Sequence, residues 1–281
     1  MAALLAVLTA FIVAASPVGR RPAAEVELRY ERPLGQVATY RLGLSVTGEQ
    51  VSLGERLPVR WRAEVEYREE VIARGPGEVL WLRARGRPVV VEDRTGGWRG
   101  PLAEPWPELE VRLTERGEVR ETSLAVGEEP ANVRRRALVS LMAQPMPVVL
   151  PAGPVAVGEE WEWRDGGARQ TNRLVGLEGE GEARVARVVS EGISPLEMEE
   201  RSEALGVTAR LTGEARRRSE LALLLGQGVA LRHQGEILLK TRSEVSLALA
   251  DGEETFVMES DLRVEFDLRL VSIEGKPAPA R

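Results

Sequence analysis

The chain has 281 residues, a formal charge of −6, no cysteine and a single histidine, His233. Disulfides and lipid attachment at a cysteine are excluded, and acids interleaved with bases give no basic field for a nucleic-acid partner. Of 38 basic residues only Lys240 and Lys276 are lysine, and Asn occurs only at 132 and 172; high-GC coding or heat adaptation would each produce that bias.

Ala2 to Ser16 is an uncharged, largely apolar run ending in small residues. It has the length of a signal-peptide core and is shorter than the ~20 residues of a spanning helix. The expectation is a signal peptide over residues 1–15 and an exported mature chain, periplasmic or extracellular. The rival is an uncleaved anchor, with Arg20 and Arg21 holding the body on the cytoplasmic side.

The body then alternates. Tyr40, Leu42, Leu44 and Val46 share one parity, as do Val59, Trp61, Ala63, Val65 and Tyr67 against Arg60, Arg62, Glu64, Glu66 and Arg68. Period two over ten residues makes a strand with one apolar face, not a helical stripe. Leu109, Val111 and Leu113 repeat the pattern, and Leu262 to Leu270 gives its cleanest example. Turns are expected at Asp93 to Gly97, Glu115 to Gly117, Arg164 to Gly167, Gly179 to Gly181, Gly226 to Gly228 and Asp251-Gly252.

One segment has a helical period. Pro130 to Gln144 places Val133, Ala137, Leu138, Leu141 and Met142 on one face, with Pro130 suited to a first turn. A proline-rich connection follows, through Pro145, Pro147, Pro151 and Pro154. The organisation expected is an N-terminal β half over 25–128, a helix and connector over 129–157, a C-terminal β half over 158–275 and a tail over 276–281. The two halves echo one another in their opening strands and Gly turns, as a duplication or simply shared hairpin grammar would produce.

Leu150-Pro151, Val155, Gly158-Glu159 and Trp161 form a phrase that resembles one in exported bacterial β-rich proteins of unknown function. There a Leu-Pro…Val…Gly-Glu-x-Trp segment leads into the second half of the molecule. The resemblance implies export and β-architecture, and it brings no activity or catalytic residues.

Catalytic chemistry finds little support. His233 shares the parity of Val229, Leu231 and Ile237, which reads as a core histidine, and no second His or any Cys completes a zinc-type site. No Ser lies in a Gly-x-Ser-x-Gly elbow, and adjacent glutamates say nothing about carboxylates facing across a cleft. Asp251-Gly252-Glu253-Glu254 lacks calcium-loop spacing and reads as hairpin chemistry. Arg216 to Arg218, between Glu214 and Glu220, reads as a solvated strand face. No catalytic residue, metal or cofactor is expected.

The fold expected is mainly β: a long antiparallel meander forming a curved sheet or incomplete barrel, with one central helix over its open apolar face. Such a shape suits a non-enzymatic carrier of an apolar small molecule or lipid, with Leu138, Leu141 and Met142 lining the ligand site. It would be peripheral to a membrane at most, and its oligomeric state is left open. The alternative is a structural or interaction module of the cell envelope.

Overall fold

The computed structural model describes residues 25–75, 79–93, 98–100, 108–124, 148–202, 207–249, 252–274 and 276–277. Among them are thirteen strands: β1 (Val37–Ser52), β2 (Glu55–Gly75), β3 (Val79–Asp93), β4 (Trp98–Gly100), β5 (Leu109–Thr114), β6 (Val119–Leu124), β7 (Glu160–Asp165), β8 (Ala168–Glu178), β9 (Val185–Ser202), β10 (Val207–Leu224), β11 (Val229–Leu249), β12 (Gly252–Ile273) and β13 (Lys276–Pro277). They form one sheet in the order β6-β5-β3-β2-β1-β12-β11-β10-β9-β8-β7, with β4 on β3 and β13 on β12 off this path. Every pairing is antiparallel. The result is a curved half-barrel in which β1 pairs with β12 to join the strands before and after the connector.

The expected mainly-β meander is therefore present. The expected helix, Pro130 to Gln144, lies outside the described residues, as do the apolar run Ala2 to Ser16 and the tip Asp251; among the described residues there is no α-helix to support a central one. Accordingly, no helix among the described residues is long and apolar enough to cross a membrane, which says nothing of strands.

Alternation fixes which face is which. On β1, Ala38, Tyr40, Leu42, Leu44 and Val46 are buried while Arg41 and Thr47 are exposed, and β12 repeats this with Val264 and Phe266 against Arg263 and Glu265. The outer face carries a lattice of ion pairs, including Arg263–Glu236 at 2.7 Å, Arg218–Glu191 at 3.0 Å and Arg242–Glu259 at 3.3 Å. Each exposed pair contributes about 0–1 kcal/mol, so the lattice keeps the surface soluble more than it holds the fold.

Curvature has a visible backbone cause. A Cβ at Gly48, Gly213 or Gly235 would lie 2.1–2.2 Å from a carbonyl oxygen of the adjacent strand. All three occupy the apolar parity, paired with Leu262, Leu196 and Phe266 respectively. Glycine at the inner side of a bend lets long strands wrap without crowding.

One end of the half-barrel is filled by extended chain. Residues 25–36 and 148–158 run inside it, joined by the Val26–Val155 bridge, and Tyr30 N–H donates to the Glu115 carbonyl while Leu150 N–H donates to that of Arg116. Leu28, Tyr30, Val148, Leu150 and Val155 pack there with Tyr40, Val71, Leu82, Val111, Val188 and Leu223. A second cluster, including Leu42, Leu44, Val65, Ile237, Leu239 and Phe266, continues the apolar face further along the strands.

The phrase Leu150-Pro151…Trp161 builds this plug. Leu150 is fully buried, and Gly158, at φ +97°, turns its N–H onto the Leu174 carbonyl at 2.7 Å. The Glu159 carboxylate accepts from Ala156 N–H at 2.8 Å, and Trp161 Nε1 donates to the Val149 carbonyl at 2.7 Å. The conformational demand at Gly158 and the two side-chain bonds account for those residue types.

Candidate functional site: a polar row inside the apolar half-barrel

The plug seats on polar groups of the sheet. Asn172 Nδ2 donates to the Val149 carbonyl at 3.2 Å, Val149 N–H donates to Gln170 Oε1 at 2.7 Å, and Tyr30 Oη donates to the Val148 carbonyl at 3.1 Å. Deeper, Arg32 Nη1 meets Glu69 Oε2 at 2.6 Å and Arg32 Nε donates to Gln36 Oε1 at 2.9 Å, all three residues being buried. Burial pulls the Arg32 pKa down, but the Glu69 carboxylate, with lesser contributions from Tyr40 and Tyr67, leaves it raised. Burial likewise holds the Tyr30, Tyr40 and Tyr67 hydroxyls protonated.

Two cavities flank the middle of the apolar face. One, of about 80 Å³, lies among Tyr30, Tyr40, Tyr67, Glu69, His233 and Leu268. The other, of about 180 Å³, lies among Val149, Trp163, Gln170, Ala215, Arg217 and Ile237. Between them the register sets one row of facing residues: Trp161, Asn172, Ser190, Ser219, Gly235, Phe266 and Leu44 on β7, β8, β9, β10, β11, β12 and β1.

Arg217 corrects the reading of the basic cluster. Arg216 and Arg218 are exposed and pair with Glu214 and Glu191. Arg217, on the alternate parity with buried Ala215, Ser219 and Leu221, projects into the half-barrel. Burial lowers its pKa to about 10, against a smaller opposing effect of the Tyr30 hydroxyl, so it remains a cation at neutral pH.

His233 stands in the interior as its parity predicts, opposite Leu221 and Leu268 and edge-on to Phe266 at 5.1 Å and 80°. Burial, and secondarily the charge of Arg217, lowers its pKa to about 3, so it is neutral. Its Nε2 has no hydrogen-bond partner among the described residues.

Leu138, Leu141 and Met142 lie outside the described residues. Sequence reasoning missed Arg217, Ser190, Ser219 and Asn172. Parity counted from Leu221 and Leu223 back through Ser219 to Arg217 would have placed two of them. Among the described residues no group of three His, Cys, Asp or Glu could hold a metal ion. A depression of about 1080 Å³ opens on the charged side, where Arg41, Arg62, Glu64, Glu236, Arg263 and Asp267 line it.

No protein-family model matches the chain, and no curated protein does. Among solved structures, lipovitellin, described for its lipid–protein interactions, is similar at 13% identity and a TM-score of 0.41, over 89% of this chain and 26% of that one. The chain thus spans about a quarter of the lipovitellin length. An outer membrane channel from Pseudomonas putida F1 is similar at 9% identity and TM-score 0.24, over 85% of this chain and 97% of that one. At these scores no ligand or activity carries over.

Proposed function

We propose that the protein is an exported, non-enzymatic carrier that holds an apolar, lipid-like molecule inside the half-barrel. The observation that supports this most is the extent of the apolar face relative to what fills it. The extended segments 25–36 and 148–158 occupy one end, a cavity of about 180 Å³ lies beside Val149, and beyond the second cluster Val59, Trp61, Leu196 and Leu262 are only half-buried. Ligand sites are concave, mostly apolar and fitted with few polar groups, which describes this interior. Export rests on the run Ala2 to Ser16.

The segment Pro130 to Gln144 is proposed as the cover, because β6 ends at Leu124 and the described chain resumes at Val148, inside the plug. Leu138, Leu141 and Met142 would then line the ligand. The test is uptake of an uncharged environment-sensitive dye by the wild-type chain and by Leu141→Trp. A carrier takes up the dye, and the substitution blocks uptake at little cost in stability because the indole enters ligand space. If the wild type takes up no dye and Leu141→Trp destabilises by ~1–3 kcal/mol, the interior is a filled core and the alternative, an envelope interaction module, replaces this reading.

A further inference from the structure

The polar row between the two cavities departs from the hydrophobic pattern around it. Asn172 faces Ser190, Ser190 faces Ser219, and Ser219 faces Gly235 across four successive strands. Arg217 stands one inward position from Ser219 on β10, and His233 stands one inward position from Gly235 on β11. Asn172, Ser190, Ser219 and His233 are each at most 4% exposed. Yet Ser190 Oγ, Ser219 Oγ, Asn172 Oδ1 and His233 Nε2 have no hydrogen-bond partner among the described residues. Native interiors leave few such groups unpaired, so four in adjoining positions ask for a polar companion. Glycine is required at 235, since a Cβ there would come within 2.7 Å of Ser219 Cβ and crowd the row from β11.

We propose that this row is the head-group site of the carrier, and that it takes an alkyl chain ending in one oxyanion, a carboxylate or a phosphate monoester. The proposal rests on the carrier reading and specifies its ligand. Arg217 supplies a fixed positive charge at the edge of an apolar cavity, and its planar fork suits two oxygens of one head. The hydroxyls of Ser190 and Ser219 can both donate, and neutral His233 can present an Nε2–H from the other side. Asn172 Oδ1 is an acceptor, does not favour an anion, and marks the end of the site on β8. The register carries the tail away from Arg217 along Ile237, Val264, Val46 and Trp61, a continuous apolar row over β11, β12, β1 and β2. A cationic head would meet Arg217 with like charge, and a neutral head would forgo that interaction.

The test titrates the full chain at pH 7.5 with a fluorescent long-chain fatty acid and with its methyl ester, and measures an alkyl phosphate of equal length by displacement. At least one of the two anions should bind about tenfold or more tightly than the ester, a difference of about 1.4 kcal/mol. Whichever anion binds better identifies the head. Arg217→Met should bring the anions to the level of the ester and leave the ester unchanged. Ser190→Ala with Ser219→Ala should weaken the anions severalfold and spare the ester, which keeps the comparison available if Arg217→Met does not fold. Equal affinity for all three compounds, unchanged in these variants, overturns the head-group site and leaves the carrier reading standing. Absence of binding by all three overturns both.

Discussion

Arg32 and Glu69 form a buried ion pair, 2.6 Å from Nη1 to Oε2, that fastens the extended N-terminal segment to β2 across 37 positions of sequence. Gln36 extends it by accepting from Arg32 Nε and donating through Nε2 to the Gln227 carbonyl at 3.3 Å. Removing one member leaves the other charge stranded in an apolar site. Glu69→Gln should therefore destabilise by about 3–5 kcal/mol in urea unfolding, whereas Arg32→Met with Glu69→Leu should cost less than either single change. A single-mutant loss below ~1 kcal/mol would show that water reaches the pair.

Gly228 closes the β10–β11 turn in the left-handed region, at φ +60°, against the backbone of the N-terminal segment. A Cβ there would lie 2.5 Å from both the nitrogen and the oxygen of Glu31. Neither contact can yield by rotating a side chain. Gly228→Ala should lower stability by about 2–4 kcal/mol, combining strain at positive φ with overpacking. Gly54, at φ +82° with nothing near its Cβ, is the control and should lose only the strain.

His233 makes the fold acid-sensitive. Its pKa falls from 6.5 to about 3 on folding, so below pH 6.5 the unfolded chain binds the proton that the folded chain refuses. The stability is complete above pH 6.5 and is lost as pH falls, by roughly 1.4 kcal/mol per unit until about pH 3. Arg217 from β10, Tyr40 from β1, Tyr67 and Glu69 from β2 and Tyr30 and Arg32 from the plug share this interior. His233→Gln should cost about 0.5–3 kcal/mol at pH 7. It should also remove about 2–3 kcal/mol of the decline between pH 7 and pH 4.5, where the remaining slope belongs to carboxylates. Parallel curves for the two proteins would contradict the buried neutral imidazole.

The strands with one charged and one apolar face were plain from parity alone: Val59 to Arg68 lies within β2 and Leu262 to Leu270 within β12. Less visible was whatever parity does not encode. The β1–β2 turn uses Leu53 at φ 51° before Gly54, and leucine gives no signal for a left-handed turn. Residues 25–31 do alternate, with Val26, Leu28 and Tyr30 buried against exposed Glu25, Glu27 and Glu31, but parity alone does not say that this segment runs inside the half-barrel rather than as a strand of the sheet. Arg217 was hidden by its neighbours, because three consecutive arginines read as one solvated block although a strand sends the middle one to the opposite face. The polar row depends on register across four strands, and single-chain alternation cannot supply register between strands.

Processing follows from the small residues that end the first apolar run. Intact-mass measurement of the protein from its own host should place the mature N-terminus near Ser16, with no lipid attached. Retention of Met1 in a cytosolic fraction would remove the export proposal.

The most direct measurement is a calorimetric titration of the folded, full chain with a long-chain fatty acid at several temperatures. A half-barrel that houses an alkyl chain gives saturable binding of one molecule per chain with a negative heat-capacity change, the mark of apolar surface leaving water. No saturable heat, from a protein whose cooperative unfolding shows it intact, would contradict the carrier function.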